Sequence, residues 1–128
     1  MKSHGHRFRA LPGLYAVCRL PADAAVPAWA AGPFVNITLT DDELAIICPA
    51  EQVPVGIRAE RDWRVLKLVG PFPFTATGVL ASLATPLARA GISLLSIATY
   101  DTDYFLVKTD GFEDAMSVLT AAGHTRIG

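Results

Sequence analysis

Little of this sequence is charged, and the charge it has nearly cancels. Eleven Lys and Arg stand against twelve Asp and Glu, which leaves a net charge of −1 with 18% of residues charged. No basic stripe with interleaved aromatics occurs, so the electrostatic footprint of a nucleic-acid partner is missing. No apolar run approaches the roughly 20 residues a membrane-spanning helix needs. The longest, residues 79–87, is broken by Ser82, Thr85 and Pro86, so no membrane partner is expected. The first nine residues are basic, but neither a sustained apolar stretch nor a small-residue cleavage site follows. They do not read as a signal peptide, and a cytoplasmic location is expected.

Cysteine and histidine are equally scarce. Cys18 and Cys48 lie in apolar, strand-like stretches, where a buried thiol behaves as a small hydrophobe; that reading is favoured over a disulfide in a reducing compartment. The three histidines, His4, His6 and His124, sit at the two ends of the chain. A metal site would need all three to converge with further ligands, so none is expected. No Ser-His-Asp or Cys-His set and no phosphate-binding Gly-x-x-x-x-Gly-Lys loop can be assembled, so no catalytic residue, no cofactor and no enzymatic activity are expected.

What the chain does have is apolar residues, 52% of its 128, enough for one continuous core or two small fused ones. The first half reads as strands punctuated by proline and glycine. Residues 14–20 form a strand ended by Pro21, and the three prolines up to Pro33 allow only a short helical turn. Residues 34–39 and 44–48 form a hairpin, a second helical turn fits in 49–55, and the chain extends again near 56–61.

The second half is more regular. A strand over 63–69 ends at Gly70 and Pro71. A helix over 77–90 carries Val79, Leu80, Leu83 and Leu87 on one stripe, with Gly91 at its C-terminal cap and a bend expected at Pro86. Strands over 92–99 and 104–108 pair through a polar turn. Asp110 with Glu113 forms an N-capping pattern for a second helix, whose buried face is Phe112, Ala115, Met116 and Leu119 and whose end is Gly123. A short last strand completes βαββαβ, an antiparallel four-stranded sheet with two helices on one face. The first half fits the same frame with its helices reduced to turns. The expected architecture is therefore α+β, a tandem of ferredoxin-like repeats, with a first half over 1–62 and a second domain over 63–128.

In that second domain the connection rules bring the loop opening the helix and the turn after the strand ending at Thr99 to the same end of the sheet. The helix N-terminus near Gly78 offers free N–H groups and partial positive charge to a carboxylate. Asp101 and Asp103 can receive an ammonium group, so together they make a cradle for a zwitterionic amino acid. The plainer reading is that Asp101, Thr102 and Asp103 only satisfy a turn's backbone. A divalent cation on the Asp-x-Asp pair would need further carboxylates that the sequence does not place nearby.

The stretches Trp-Arg-Val-Leu-Lys-Leu-Val-Gly-Pro from Trp63, Thr-Gly-Val-Leu-Ala-Ser-Leu from Thr77, and Ala-Thr-Tyr-Asp-Thr-Asp-Tyr from Ala98 resemble the ACT-domain family, in particular bacterial tandem-ACT proteins related to the animal cytosolic arginine sensors of the CASTOR type. The run from Thr99 to Tyr104 is the specific part. The resemblance implies tandem ferredoxin-like ACT repeats, frequent oligomerisation, here expected as a homodimer, and an amino-acid ligand contacting Thr77, Gly78 and Val79 at the helix start and Thr99, Tyr100, Thr102 and Asp103 at the strand end, to which the turn itself adds Asp101. Where the arginine sensors carry an acidic residue two positions before the helix glycine, this chain has Ala76, so neutral amino acids stand beside arginine as ligands. The expected function is a non-catalytic regulatory module; the alternative is an interaction or oligomerisation module with a degenerate pocket.

Overall fold

The computed structural model describes residues 5–128, and these group into two compact units. One is Gly13–Trp63; the other joins the chain up to Pro12 to Arg64–Gly128. His4, one of the three histidines weighed for a metal site, lies outside the described residues.

In the unit Gly13–Trp63, β2 (Tyr15–Leu20), β3 (Asn36–Leu39) and β4 (Leu44–Pro49) form an antiparallel sheet in the order β3-β4-β2, and the first residues of β5 (Arg58–Leu68) pair antiparallel with β2. The helices expected to be reduced are a 3₁₀ turn at Ala50–Gln52 and irregular chain between β2 and β3. Ala16, Cys18, Leu44, Ile46, Cys48 and Val53 make its core. Tyr15 faces Trp63 and Val17 faces Glu60, so two residues of β5, Arg61 and Asp62, stand against the single Ala16. This β-bulge is accommodated by Asp62, which adopts φ +71°. The extended stretch near 56–61 and the strand expected over 63–69 are thus one bulged strand. The expected division at 62/63 falls inside it.

The second unit departs from the expected four strands. It contains β1 (Arg7–Ala10), the end of β5, α1 (Val79–Arg89), β6 (Leu95–Ala98), β7 (Asp103–Lys108), α2 (Phe112–Ala121) and β8 (Thr125–Arg126). Its sheet runs β8-β1-β5-β7-β6. β1 takes the place beside β5 expected for the last strand, pairing antiparallel with it (Phe8 opposite Leu68, Ala10 opposite Leu66), and β8 pairs with β1 in parallel. The sheet is therefore five-stranded and mixed. Residues 5–12, assigned to the first half from sequence, belong with the second. The cause is coverage: β8 has two residues, both exposed, whereas Phe8 is fully buried in the core with Leu66, Leu68, Leu83, Leu87, Phe105 and Leu119.

Both helices end in the same way. After α1 the N–H of Gly91 bonds to Ala88 O and that of Ile92 to Leu87 O; after α2 Gly123 bonds to Thr120 O and His124 to Leu119 O. Gly91 and Gly123 have φ +75° and +97°, which glycine adopts without the Cβ penalty, and each closes a Schellman motif. α1 continues through Pro86 as a single element. The expected Asp110 cap is not made: Asp110 lies in a 3₁₀ turn, Gly111 is the N-cap, and no side chain caps α2. Glu113 and Asp114 in the first turn favour that helix through its dipole instead.

Cys18 and Cys48 are free and buried. Burial pushes both thiols up, opposed in each by the Arg61 charge, and Cys48 is pushed up to about 11 with Cys18 adding to its rise. Two predictions follow from this architecture. Phe8→Ala should lower stability to urea by about 3–5 kcal/mol, the usual cost of deleting a core aromatic; a loss below about 1 kcal/mol would show that β1 does not close the core. Because Cys48 ionises less readily folded than unfolded, its contribution is complete below about pH 9 and is lost as pH rises toward about 11. Denaturation midpoints across that range should therefore fall more steeply for the wild type than for Cys48→Ala.

Candidate functional site

The chain between β5 and α1 and the turn between β6 and β7 meet through a few specific bonds. Thr99 donates from both its N–H (2.8 Å) and its hydroxyl (3.0 Å) to the Thr102 carbonyl, and the Thr102 N–H returns to the Thr99 hydroxyl at 3.3 Å. The Thr102 hydroxyl donates to the Leu68 carbonyl at 3.0 Å, which ties the turn to the end of β5. The Phe72 N–H donates to the Asp101 carbonyl at 2.8 Å, which ties it to the loop before α1. The plain reading of the turn thus holds for Thr102, whose side chain is buried and used within the fold.

Opposite this turn lies the start of α1. Its N-cap, Gly78, has φ +76° and no side chain caps the helix. The first bond within α1 runs from Ser82 N–H to Gly78 O, so the N–H groups of Val79, Leu80 and Ala81 have no acceptor inside the helix.

Between the two walls is a cleft of about 630 Å³. Of the residues singled out from sequence, it brings together Gly78, Val79, Thr99, Tyr100, Asp101, Thr102 and Asp103. Thr77 is not in its lining; it borders an adjacent cleft of about 520 Å³ with His6, Ser82 and His124, in which Gly78 and Val79 also take part. The larger cleft carries two carboxylates, Asp101 and Asp103, and among the described residues no Lys, Arg or His lines it. Its rim holds Phe74 and Tyr100, 76% and 80% exposed, in an edge-to-face contact with ring centres 5.0 Å apart.

Sequence reasoning missed Phe72, Phe74, Leu80 and Ala84 as lining residues. The signal for the first two was present as Phe-Pro-Phe in a loop, which leaves Phe74 exposed and Phe72 only partly buried against the core. Among the described residues no three His, Cys, Asp or Glu side chains converge as a metal site would require.

Comparison with known proteins places the chain in a family. A sequence model of the ACT domain matches residues 58–121, and a second model, of an N-terminal domain, matches residues 13–56. The human cytosolic arginine sensor for mTORC1 subunit 1 is 40% identical over 58 residues, which is 44% of this chain and 18% of the sensor; the bovine sensor matches equally. The chain thus spans about a fifth of the length of the curated sensors it matches. A crystal structure of an Agobacterium tumefaciens protein is similar at 38% identity and TM-score 0.92, covering 98% of this chain and 94% of that one. The regulatory subunit of aspartate kinase from Thermus thermophilus shares the fold at 12% identity and TM-score 0.59, with 93% of each chain covered. With the domain model spanning half of the sequence and the Agobacterium relative covered almost end to end, the chain belongs to the ACT-domain family of ligand-binding regulatory modules.

Proposed function

We propose that this protein is a non-catalytic regulatory module that binds a free amino acid in the 630 Å³ cleft. One observation carries the reading: an uncapped helix N-terminus faces two carboxylates across a cleft that no basic side chain lines among the described residues. The α-carboxylate of the ligand sits at the N–H groups of the first turn of α1, where the helix dipole presents about half a positive charge. The α-ammonium is received by Asp103, with Asp101 further out, and Tyr100 with Phe74 covers the side chain. Ala76 lines the cleft in place of the acidic residue of the arginine sensors, so neutral amino acids are candidates equally with arginine. The module works in the cytoplasm as a homodimer.

A second reading, an interaction module, is favoured by β3. Among the described residues β4 is its one hydrogen-bonded strand neighbour, and β3 exposes Ile37 and Leu39, an edge of the kind that pairs with another chain.

Thermal unfolding in the presence of each common amino acid separates the two. A ligand at 100 times its dissociation constant stabilises by about 2.7 kcal/mol. The amino-acid reading predicts such a rise for at least one of them and its loss in Asp103→Ala. No rise with any amino acid, together with a stable dimer by light scattering, would establish the interaction reading instead.

A further inference from the structure

α1 contains a gap that its own backbone cannot fill. Pro86 lies inside the helix and has no N–H to give to the carbonyl four residues earlier, that of Ser82. That carbonyl is nevertheless paired: Nε2 of His124 lies 2.9 Å from it. The other ring nitrogen, Nδ1, accepts the His6 N–H at 3.0 Å. An Nδ1 that accepts carries no proton, so the proton is on Nε2 and is donated to Ser82.

The histidine is held from every side. Its own N–H completes the Schellman motif of α2 at Leu119 O, and its side chain is 4% exposed. The His6 ring stacks on it with centres 5.7 Å apart and in turn meets the edge of Phe72 at 5.5 Å. Phe72, Gly78 and Val79 all line the proposed ligand cleft. The ring therefore reaches, through one bond and two ring contacts, both the first turn of α1 and the loop that opens it.

We propose that His124 is a positioning residue for the ligand site: it supplies the hydrogen bond that Pro86 withholds and so fixes the first turn of α1, the wall meant for the ligand carboxylate. The link to affinity rests on the amino-acid reading above; the hold on α1 does not. His124 itself lines only the neighbouring cleft and acts through Ser82.

The test is a cycle on the full chain, read by amide hydrogen exchange over residues 82–85, the first amides of α1 that have acceptors, and by titration with L-leucine and L-arginine as neutral and cationic probes. His124→Phe should speed exchange at those amides by about tenfold and weaken the probe that binds by a similar factor. Pro86→Ala provides an N–H for Ser82, so adding His124→Phe to Pro86→Ala should change exchange by less than about threefold. His124→Gln, which keeps a side-chain N–H donor, should stay near wild type. Ring-nitrogen NMR should find the proton on Nε2. Equal acceleration by His124→Phe with and without Pro86, or none in either, would overturn the proposal. If neither probe binds the wild type, the affinity link fails while the exchange cycle still decides the role of His124.

Discussion

The pairing of β1 with β5 is the constraint on which the rest of the second unit depends. Phe8 stands opposite Leu68, and both are fully buried against the helices. A last strand of two exposed residues leaves that part of the core open, and the burial of an aromatic ring, worth on the order of 2–3 kcal/mol, draws the N-terminal strand into the place. β8 is displaced outward and pairs in parallel with β1, where Thr125 N–H bonds to His6 O and Ile127 N–H to Phe8 O. The same register brings the His6 amide to Nδ1 of His124. A strand that closes the core thus also orients the ring that reaches α1.

The cleft inherits its geometry from the other edge of β5. Leu68 O receives the Thr102 hydroxyl, and Asp101 O receives the Phe72 amide, so strand end, turn and loop are bound to one another. The turn is rigid in its backbone and leaves its acidic side chains for the cleft. With the positive end of a helix dipole on one wall and carboxylates on the other, a ligand of a single sign meets repulsion from one of them. A zwitterion meets neither, and this is the electrostatic reason for placing an amino acid there.

Most of this was legible in the sequence where periodicity was long. The stripe Val79, Leu83, Leu87 before Gly91, and Phe112, Ala115, Met116, Leu119 before Gly123, marked α1 and α2 within two residues, because apolar spacing and a left-handed glycine are local signals. β1 was not legible: in Arg-Phe-Arg-Ala only Phe8 is buried, and one apolar residue between arginines has no period to read. The bulge at Asp62 hid the continuity of β5, since an extra residue breaks the alternation a strand is recognised by. For the candidate site, the run from Thr99 to Asp103 lies along one side of the cleft, and within it the Thr102 hydroxyl donates to Leu68 O. That bond spans 34 positions and leaves no local trace, as does the bond between His124 and Ser82.

The clasp on Ser82 compensates Pro86 only in part, and the remainder matters. An interior proline costs a helix about 3 kcal/mol, some from the missing bond and some from the ring crowding the earlier carbonyl. A hydrogen bond from outside returns about 1 kcal/mol net and leaves the crowding in place. The second half of α1 is anchored independently, since Leu83 and Leu87 are buried in the core. The first turn has no side-chain cap and, in place of one bond of its own helix, a bond from His124. On the proposed reading, a carboxylate bound at Val79 would pull on the same turn that His124 holds from the other side.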